Sequence, residues 1–206
     1  MLGLMTLSVA SLAQAEPGNR SYAVSEGKLG FVCEGPNVIV PAWGQFGTVE
    51  GALSLNPQDL GTASGSIDVL MASIRTDDAA WDTMFRRAGF LEIDAHPRSR
   101  FVLDRVSGAE RLVPRKWVPM TLQGHFMLHG VVKELSVPAT VRWVPGSEGK
   151  GSSVRVRASF HVRWDEYEIA MPRGSTRSFA GDGALINVDV QYEPKAVKKA
   201  QASRSR

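Results

Sequence analysis

Four histidines and one run of acids are the side chains of this chain with the most obvious chemical capacity. His125 and His129 share a face of an alternating segment, four residues apart. At ~3.3 Å rise per residue they stand about 13 Å apart, too far to share one ion. His161 lies on a polar strand face, and His96 precedes Pro97 in a loop. No H-E-x-x-H pair, Cys/His set or aspartate-rich calcium loop accompanies them, so they read as surface or loop histidines. No metal ligand is assigned and no cofactor is expected. Asp77, Asp78 and Asp82 are acids without a partner base; helix capping and a solvated helix face account for them. Ser64-Gly65-Ser66 lacks the G-x-S-x-G elbow, and Gly61 to Gly65 lacks the Lys-Ser/Thr ending of a phosphate loop. Arg86 and Arg87 have two readings that stay open: cations in a last helical turn, or contacts to an anionic headgroup at a barrel mouth. Cys33 is the single cysteine, which excludes an internal disulfide and a thiolate cluster; it lies in an apolar run and reads as a buried, inert thiol. No catalytic residue emerges, and the chain is not expected to be an enzyme.

The elements that must position these groups are organised around Ile67 to Phe101. Ile67, Val69 and Met71 alternate with Asp68, Leu70 and Ala72, as in a strand running on to Ile74. Thr76, Asp77 and Asp78 are N-cap and first-turn residue types. Trp81, Met84, Phe85 and Ala88 recur at helical spacing, and Gly89 supplies a stop. One helix near Thr76–Ala88 is therefore predicted among strands, as a plug, a lid or an end cap.

The rest of the chain alternates. Tyr22 to Val24 and Lys28 to Cys33 read as two short strands, Pro36 to Gly44 as irregular, and Thr48 to Leu55 as a strand. Asn56-Pro57 and Gly61 to Gly65 read as turns. Phe101, Leu103 and Val106 resume strand spacing. Four long strands follow, with inward sets Met120–Leu128, Leu135–Trp143, Val154–Trp164 and Ala184–Tyr192 taken at every second residue. The joints at Gly130 to Glu134 and Pro145 to Ser152 are hairpin-like. Each long strand has one apolar and one wet face, as antiparallel sheets do. About eight such strands can close into a barrel, which removes both edges; a sandwich is the competing architecture. Gly51, Gly124, Ala139 and Ala158 fall on the apolar face, and in a barrel such small residues leave room for one apolar ligand.

A net charge of +3 suggests an anionic partner until its distribution is inspected. Lys195, Lys198, Lys199, Arg204 and Arg206 crowd into the last residues, where no acid occurs; without these five charges the remainder is at −2. A nucleic-acid-binding surface is thereby excluded for the body. Residues 194–206 read as a basic, disordered tail. At the other end, Met1 to Leu12 is apolar and uncharged, and Ala13-Gln14-Ala15 is a small-x-small site. This is a secretion signal over residues 1–15, although it lacks a Lys/Arg-rich start. It is too short to span a membrane, which takes about 20 apolar residues. The domain then covers residues 16–193.

Three ordered motifs resemble a known family. Ser73-Ile74-Arg75-Thr76, Trp81-Asp82, Phe90-Leu91-Glu92 and Pro97 to Phe101 look like the central motif of the YceI-like family. Leu122 to Val131, followed by Lys133 and Leu135 to Val137, resembles its hairpin, and Arg163 to Ile169 its late "R-x-D-F/Y-G-I" segment. The likeness runs from about Tyr22 to Tyr192. The departures are Ser25 to Phe31 in place of an Asp/His-containing first strand, the proline-rich Pro36 to Gly44, and Glu168 where the family carries glycine.

The resemblance implies a mainly β fold, an antiparallel eight-stranded lipocalin-like barrel with an apolar tunnel, exported to the periplasm. It implies a long lipid as partner: a polyisoprenoid, an isoprenoid quinone or a fatty-acid-like chain. Peripheral membrane contact and a homodimer are further expectations. The residues expected to line the tunnel are Ile67, Val69, Met71, Phe85, Phe90, Phe101, Phe126, Leu128, Ala158 and Phe160, and Trp81 is expected to face it beside Phe85. Two other classes remain beside a lipid carrier: a packed barrel acting as an envelope or stress interaction module, and a quinone-linked redox partner or lipid-acting enzyme.

Overall fold

The structure is a computed structural model and describes residues 18–87, 89–147, 151–170 and 177–195. Ala88, the expected secretion signal over residues 1–15 and residues 196–206 lie outside the described residues. Among the described residues ten strands and two α-helices occur: β1 Arg20–Glu34, β2 Trp43–Phe46, β3 Val49–Asn56, β4 Asp59–Leu70, β5 Ile74–Thr76, α1 Ala79–Arg86, β6 Arg98–Ser107, β7 Trp117–Leu128, β8 Val131–Val144, β9 Ser153–Arg163, α2 Arg177–Ala180 and β10 Gly183–Pro194. Eight of the strands run in the order β10-β9-β8-β7-β6-β4-β3-β1, and β1 pairs with β10, so the sheet closes on itself. That closure decides for the barrel and against the sandwich.

β1 is one strand, where two were expected. Its register against β10 slips between Val24 and Glu26. A bulge of this kind reverses which residues face inward, so the alternation breaks although the strand continues. The same cause explains the uneven spacing of Phe101, Leu103 and Val106: β6 slips against β7 between Leu103 and Arg105.

On its other side β1 pairs first with β3, Ala23 opposite Ala52, and then with β2, Leu29 opposite Phe46. β2 and β5 thus extend the β3–β4 hairpin beyond a break. Ser73 stitches that break: its hydroxyl donates to the Leu70 carbonyl at 2.6 Å and accepts from the Thr48 N–H at 3.0 Å. Met71–Ser73 forms a short 3-10 turn there, so the strand expected to reach Ile74 is interrupted. Trp43 and Gly44, expected to be irregular, already belong to β2. Gly61 to Gly65 is not a turn but lies within β4, with Gly65 opposite Leu53. A Cβ on Gly65 would lie 2.6 Å from the Ala52 carbonyl, so the small residue permits close strand approach. The hairpin after β7 turns at His129-Gly130, and Val131 is already paired.

Two apolar clusters fill the barrel. One joins Leu29, Phe31, Val69, Phe126, Leu128 and Trp164 with Met84 and Phe85 of α1. The other joins Tyr22, Leu55, Leu60, Met120, Val154 and Tyr192 with Leu112. Since the strands are antiparallel, these sets sit at opposite ends. α1 covers the first end. The segment after β6 covers the second, held by the Leu112 N–H to the Pro57 carbonyl at 2.7 Å and the Leu60 N–H to the Glu110 carbonyl at 2.9 Å.

Candidate functional site: an apolar cavity inside the barrel

The inward faces enclose a cavity of about 170 Å³. Its lining runs from Leu60 to Val69 on β4, on to Met71 in the 3-10 turn, and from Met120 to Leu128 on β7. Met120 to Leu128 spans eight steps of ~3.3 Å, about 26 Å of strand, so the space is long and slender. Among the described residues no Asp, Glu, Lys, Arg or His lines it. The polar side-chain groups in the wall are few and mostly engaged. The Ser99 hydroxyl donates to the Met127 carbonyl at 2.8 Å, and the Trp164 indole N–H donates to the Ala180 carbonyl at 3.0 Å. Burial pushes the Tyr192 phenol up to about 12.

Ile67, Val69, Met71, Phe85, Phe101, Phe126, Leu128, Ala158 and Phe160 line this cavity. Phe90 does not. It is buried behind Phe85 at 5.4 Å between ring centres and packs edge-on to Trp164 at 5.5 Å. Phe90 therefore supports the wall from outside it. Trp81 is also absent from the wall: its ring stacks on Phe179 of α2 at 5.1 Å and 16°. The wall includes Leu103, Val156 and Ile186, which the sequence places on inward faces by parity alone. Among the small inward residues, Gly124 offers no free space. A Cβ there would meet the Val102 carbonyl at 2.0 Å and the Phe101 ring at 2.8 Å, so the ring already occupies the gap.

α1 is fixed by its own sequence. The Asp78 carboxylate accepts from the N–H groups of Ala80 and Trp81 at 2.7 and 3.4 Å. Asp82 accepts from the Thr76 N–H at 2.7 Å and the Thr76 hydroxyl at 2.8 Å. Arg86 donates to the Ile74 carbonyl at 2.6 Å and lies 3.7 Å from Asp82. Asp78 thus caps the helix, Asp82 and Arg86 tie it to β5, and Phe85 turns to the cavity with its ring 5.4 Å from Phe31.

The remaining polar groups lie outside the cavity. His125 pairs with Asp104 at 2.6 Å, and His161 pairs with Glu34. On the outer face Asp189 receives Arg155 at 2.6 Å and Arg157 at 3.0 Å. Cys33 is buried, and burial together with the neighbouring Glu34 charge pushes its thiol up to about 12. In the folded chain it should resist alkylation at pH 8 until denaturant is added. The unfolded thiol loses its proton near pH 9, so this contribution to stability is complete below pH 9 and declines as pH rises towards 12. Denaturation midpoints of the native chain and Cys33→Ala across that interval would measure it.

The YceI-like domain model matches residues 24–192. The chain belongs to the YceI-like family. Solved structures agree on the fold. Burkholderia cenocepacia BcnA is similar at 16% identity with a TM-score of 0.64, over 80% of this chain and 95% of that one. A Campylobacter jejuni YceI protein is similar at 14% identity and TM-score 0.63, over 93% and 100%. A Saccharophagus degradans domain, described as polyisoprenoid-binding and implicated in plant cell wall breakdown, is similar at 11% identity and TM-score 0.62, over 86% and 99%. None of the curated proteins compared matches the chain. Where the resemblance places glycine in the late YceI-like segment, Glu168 adopts φ 55°, ψ 23°. The left-handed backbone is thus retained with a residue that tolerates it less readily.

Proposed function

We propose that this YceI-like protein binds a long, linear apolar lipid inside the barrel and carries or sequesters it, rather than transforming it. A polyisoprenoid, an isoprenoid quinone tail and a fatty-acyl chain all have the required chemistry. The observation that carries the reading is the cavity wall, long and, among the described residues, without a charged side chain. Each methylene buried contributes about 0.8 kcal/mol, so ten contribute about 8 kcal/mol before the ordering cost. The polyisoprenoid-binding description of the Saccharophagus degradans domain supports the same class of ligand.

The size of the cavity adds a condition. A cavity of about 150 Å³ is the scale that admits one benzene. At about 170 Å³, a longer chain enters only as inner side chains move apart. Met71 and Met120 are flexible enough to do so, and both line the wall. A packed interaction module is the second reading, favoured by the same small volume. Peripheral membrane contact belongs to the proposal and is supported by Ile39, Val40 and Trp43, exposed at 81%, 61% and 54%. A homodimer rests on the family resemblance.

Organic extraction of the purified protein followed by mass spectrometry tests the lipid reading. One chain-like lipid in near-stoichiometric amount is expected. Protein free of lipid that also fails to take up a fluorescent fatty acid or a quinone would overturn it and favour the packed module. Export to the periplasm is part of the proposal and rests on the small-x-small site at Ala13 to Ala15. N-terminal sequencing of the protein recovered from a periplasmic fraction should begin at Glu16; an intact Met1 would remove the export reading.

A further inference from the structure

We propose that Glu92, His96 and His129 form a binding site for one divalent transition-metal ion of the zinc class, with an open coordination position. The site lies at the α1-covered end of the barrel, outside the cavity wall, and the proposal does not rest on the lipid reading.

The fold assembles the three residues from distant sequence. Glu92 and His96 belong to one tight turn between α1 and β6, closed by the His96 N–H to the Glu92 carbonyl at 2.8 Å. The turn, with Glu92 at φ 46°, brings the carboxylate and the His96 ring to the same side, their ligand atoms within 4.8 Å of each other. His129 sits at the tip of the β7–β8 hairpin with φ 52°, followed by Gly130 at φ 79°. The glycine matters here, because a Cβ would lie 3.0 Å from His96 Cε1. Its absence lets the His96 ring lie over the hairpin, 4.2 Å from the His129 ring.

One ligand atom from each residue falls within 4.8 Å of the others. Around a tetrahedral ion with bonds of about 2.0–2.1 Å, ligand atoms stand roughly 3.4 Å apart. Small side-chain rotations therefore close the set. His129 is already prepared for the role. Its Nδ1 lies 3.2 Å from the Tyr167 carbonyl. A carbonyl only accepts, so in the neutral ring the proton sits on Nδ1 and Nε2 presents its lone pair. Metal-ligating histidines are held in this way by an outer carbonyl. Nε2 is buried and has no hydrogen-bond partner, and Glu92 Oε2 stands 3.8 Å from it, beyond hydrogen-bond range. The other oxygen, Oε1, accepts the Gly89 N–H at 2.8 Å, which aims the carboxylate. A buried acceptor facing a carboxylate across such a gap calls for a partner, and a cation between the two would supply it. Two imidazoles and one carboxylate match the His₂Glu donor set of zinc sites that retain an open position.

Titration of the tag-free full chain, stripped with EDTA, with Zn²⁺ in a calorimeter tests this. One equivalent should bind, and the unfolding midpoint should rise with added Zn²⁺. His96→Ala should weaken binding by more than the about 10–100-fold typical of losing an outer partner. Glu92→Gln keeps an oxygen for the Gly89 N–H, so it should fold normally and still lose affinity and the thermal shift. His125→Ala should change neither. An absence of saturable binding, or binding that survives both His96→Ala and Glu92→Gln, would overturn the site.

Discussion

Phe85→Ala is expected to lower the stability of the barrel by about 3–5 kcal/mol, the range for deleting a buried phenyl ring. Phe85 is 1% exposed, lies on a two-turn helix and touches Phe31 and Phe90 with ring centres 5.4 Å away in each case. α1 is too short to hold together by itself, so this ring is its main anchor to the barrel. Phe85→Asn should cost more, because an amide would be buried without a partner. Asp78→Ala removes only the N-cap and should cost about 1 kcal/mol; Asp77 contributes to no hydrogen bond of the cap and should matter less. Lipid recovered per mole of folded protein should follow the same order, with Phe85 variants lowest. Urea unfolding and extraction on the same preparations check both. The reverse order would mean that the carboxylates at the helix start serve the ligand and not only the helix.

The closed barrel was legible because long antiparallel strands with one wet face leave a period of two in the sequence. The alternation of Met120 to Leu128 and of Val154 to Trp164 therefore also located most of the cavity wall. What escaped notice had local physical causes. The bulges after Val24 and Leu103 shift parity inside a continuous strand, so one strand reads as two and a third apolar residue arrives late. Gly61 to Gly65 has the composition of a turn but is held in β4 by close contact with β3. Phe90 and Trp81 have the size and position of cavity residues, yet their rings are claimed by Trp164 and Phe179. Phe179 belongs to α2, four residues long, too short to leave a helical period. The approach of His96 to His129 depends on how the α1–β6 turn meets the β7–β8 hairpin, which no spacing along the chain encodes. For the same reason His129, expected on a wet face, has a side chain only 11% exposed.

Ala158→Phe is expected to empty the barrel of lipid while leaving it folded, and so separates loss of the site from loss of structure. Ala158 lines the cavity opposite Ala139 on β8 and Val188 on β10. A phenyl ring placed there would take up most of about 170 Å³, since a benzene fits about 150 Å³. Overpacking costs about 1–3 kcal/mol where no space exists; here the ring enters space that is already present and gains apolar contacts, so the unfolding midpoint should move little. Extracted lipid should fall at least about tenfold, as the loss of only two buried methylenes, about 1.6 kcal/mol, already exceeds a factor of ten. Ser159→Phe is the control. Ser159 is the next residue of β9, is exposed, and bonds to Asn187 on the outer face, so it adds the same ring outside the barrel and should retain the lipid. If Ala158→Phe kept its lipid while folding normally, the ligand would have to lie elsewhere, and the exposed apolar residues Ile39, Val40 and Trp43 would be the next place to look.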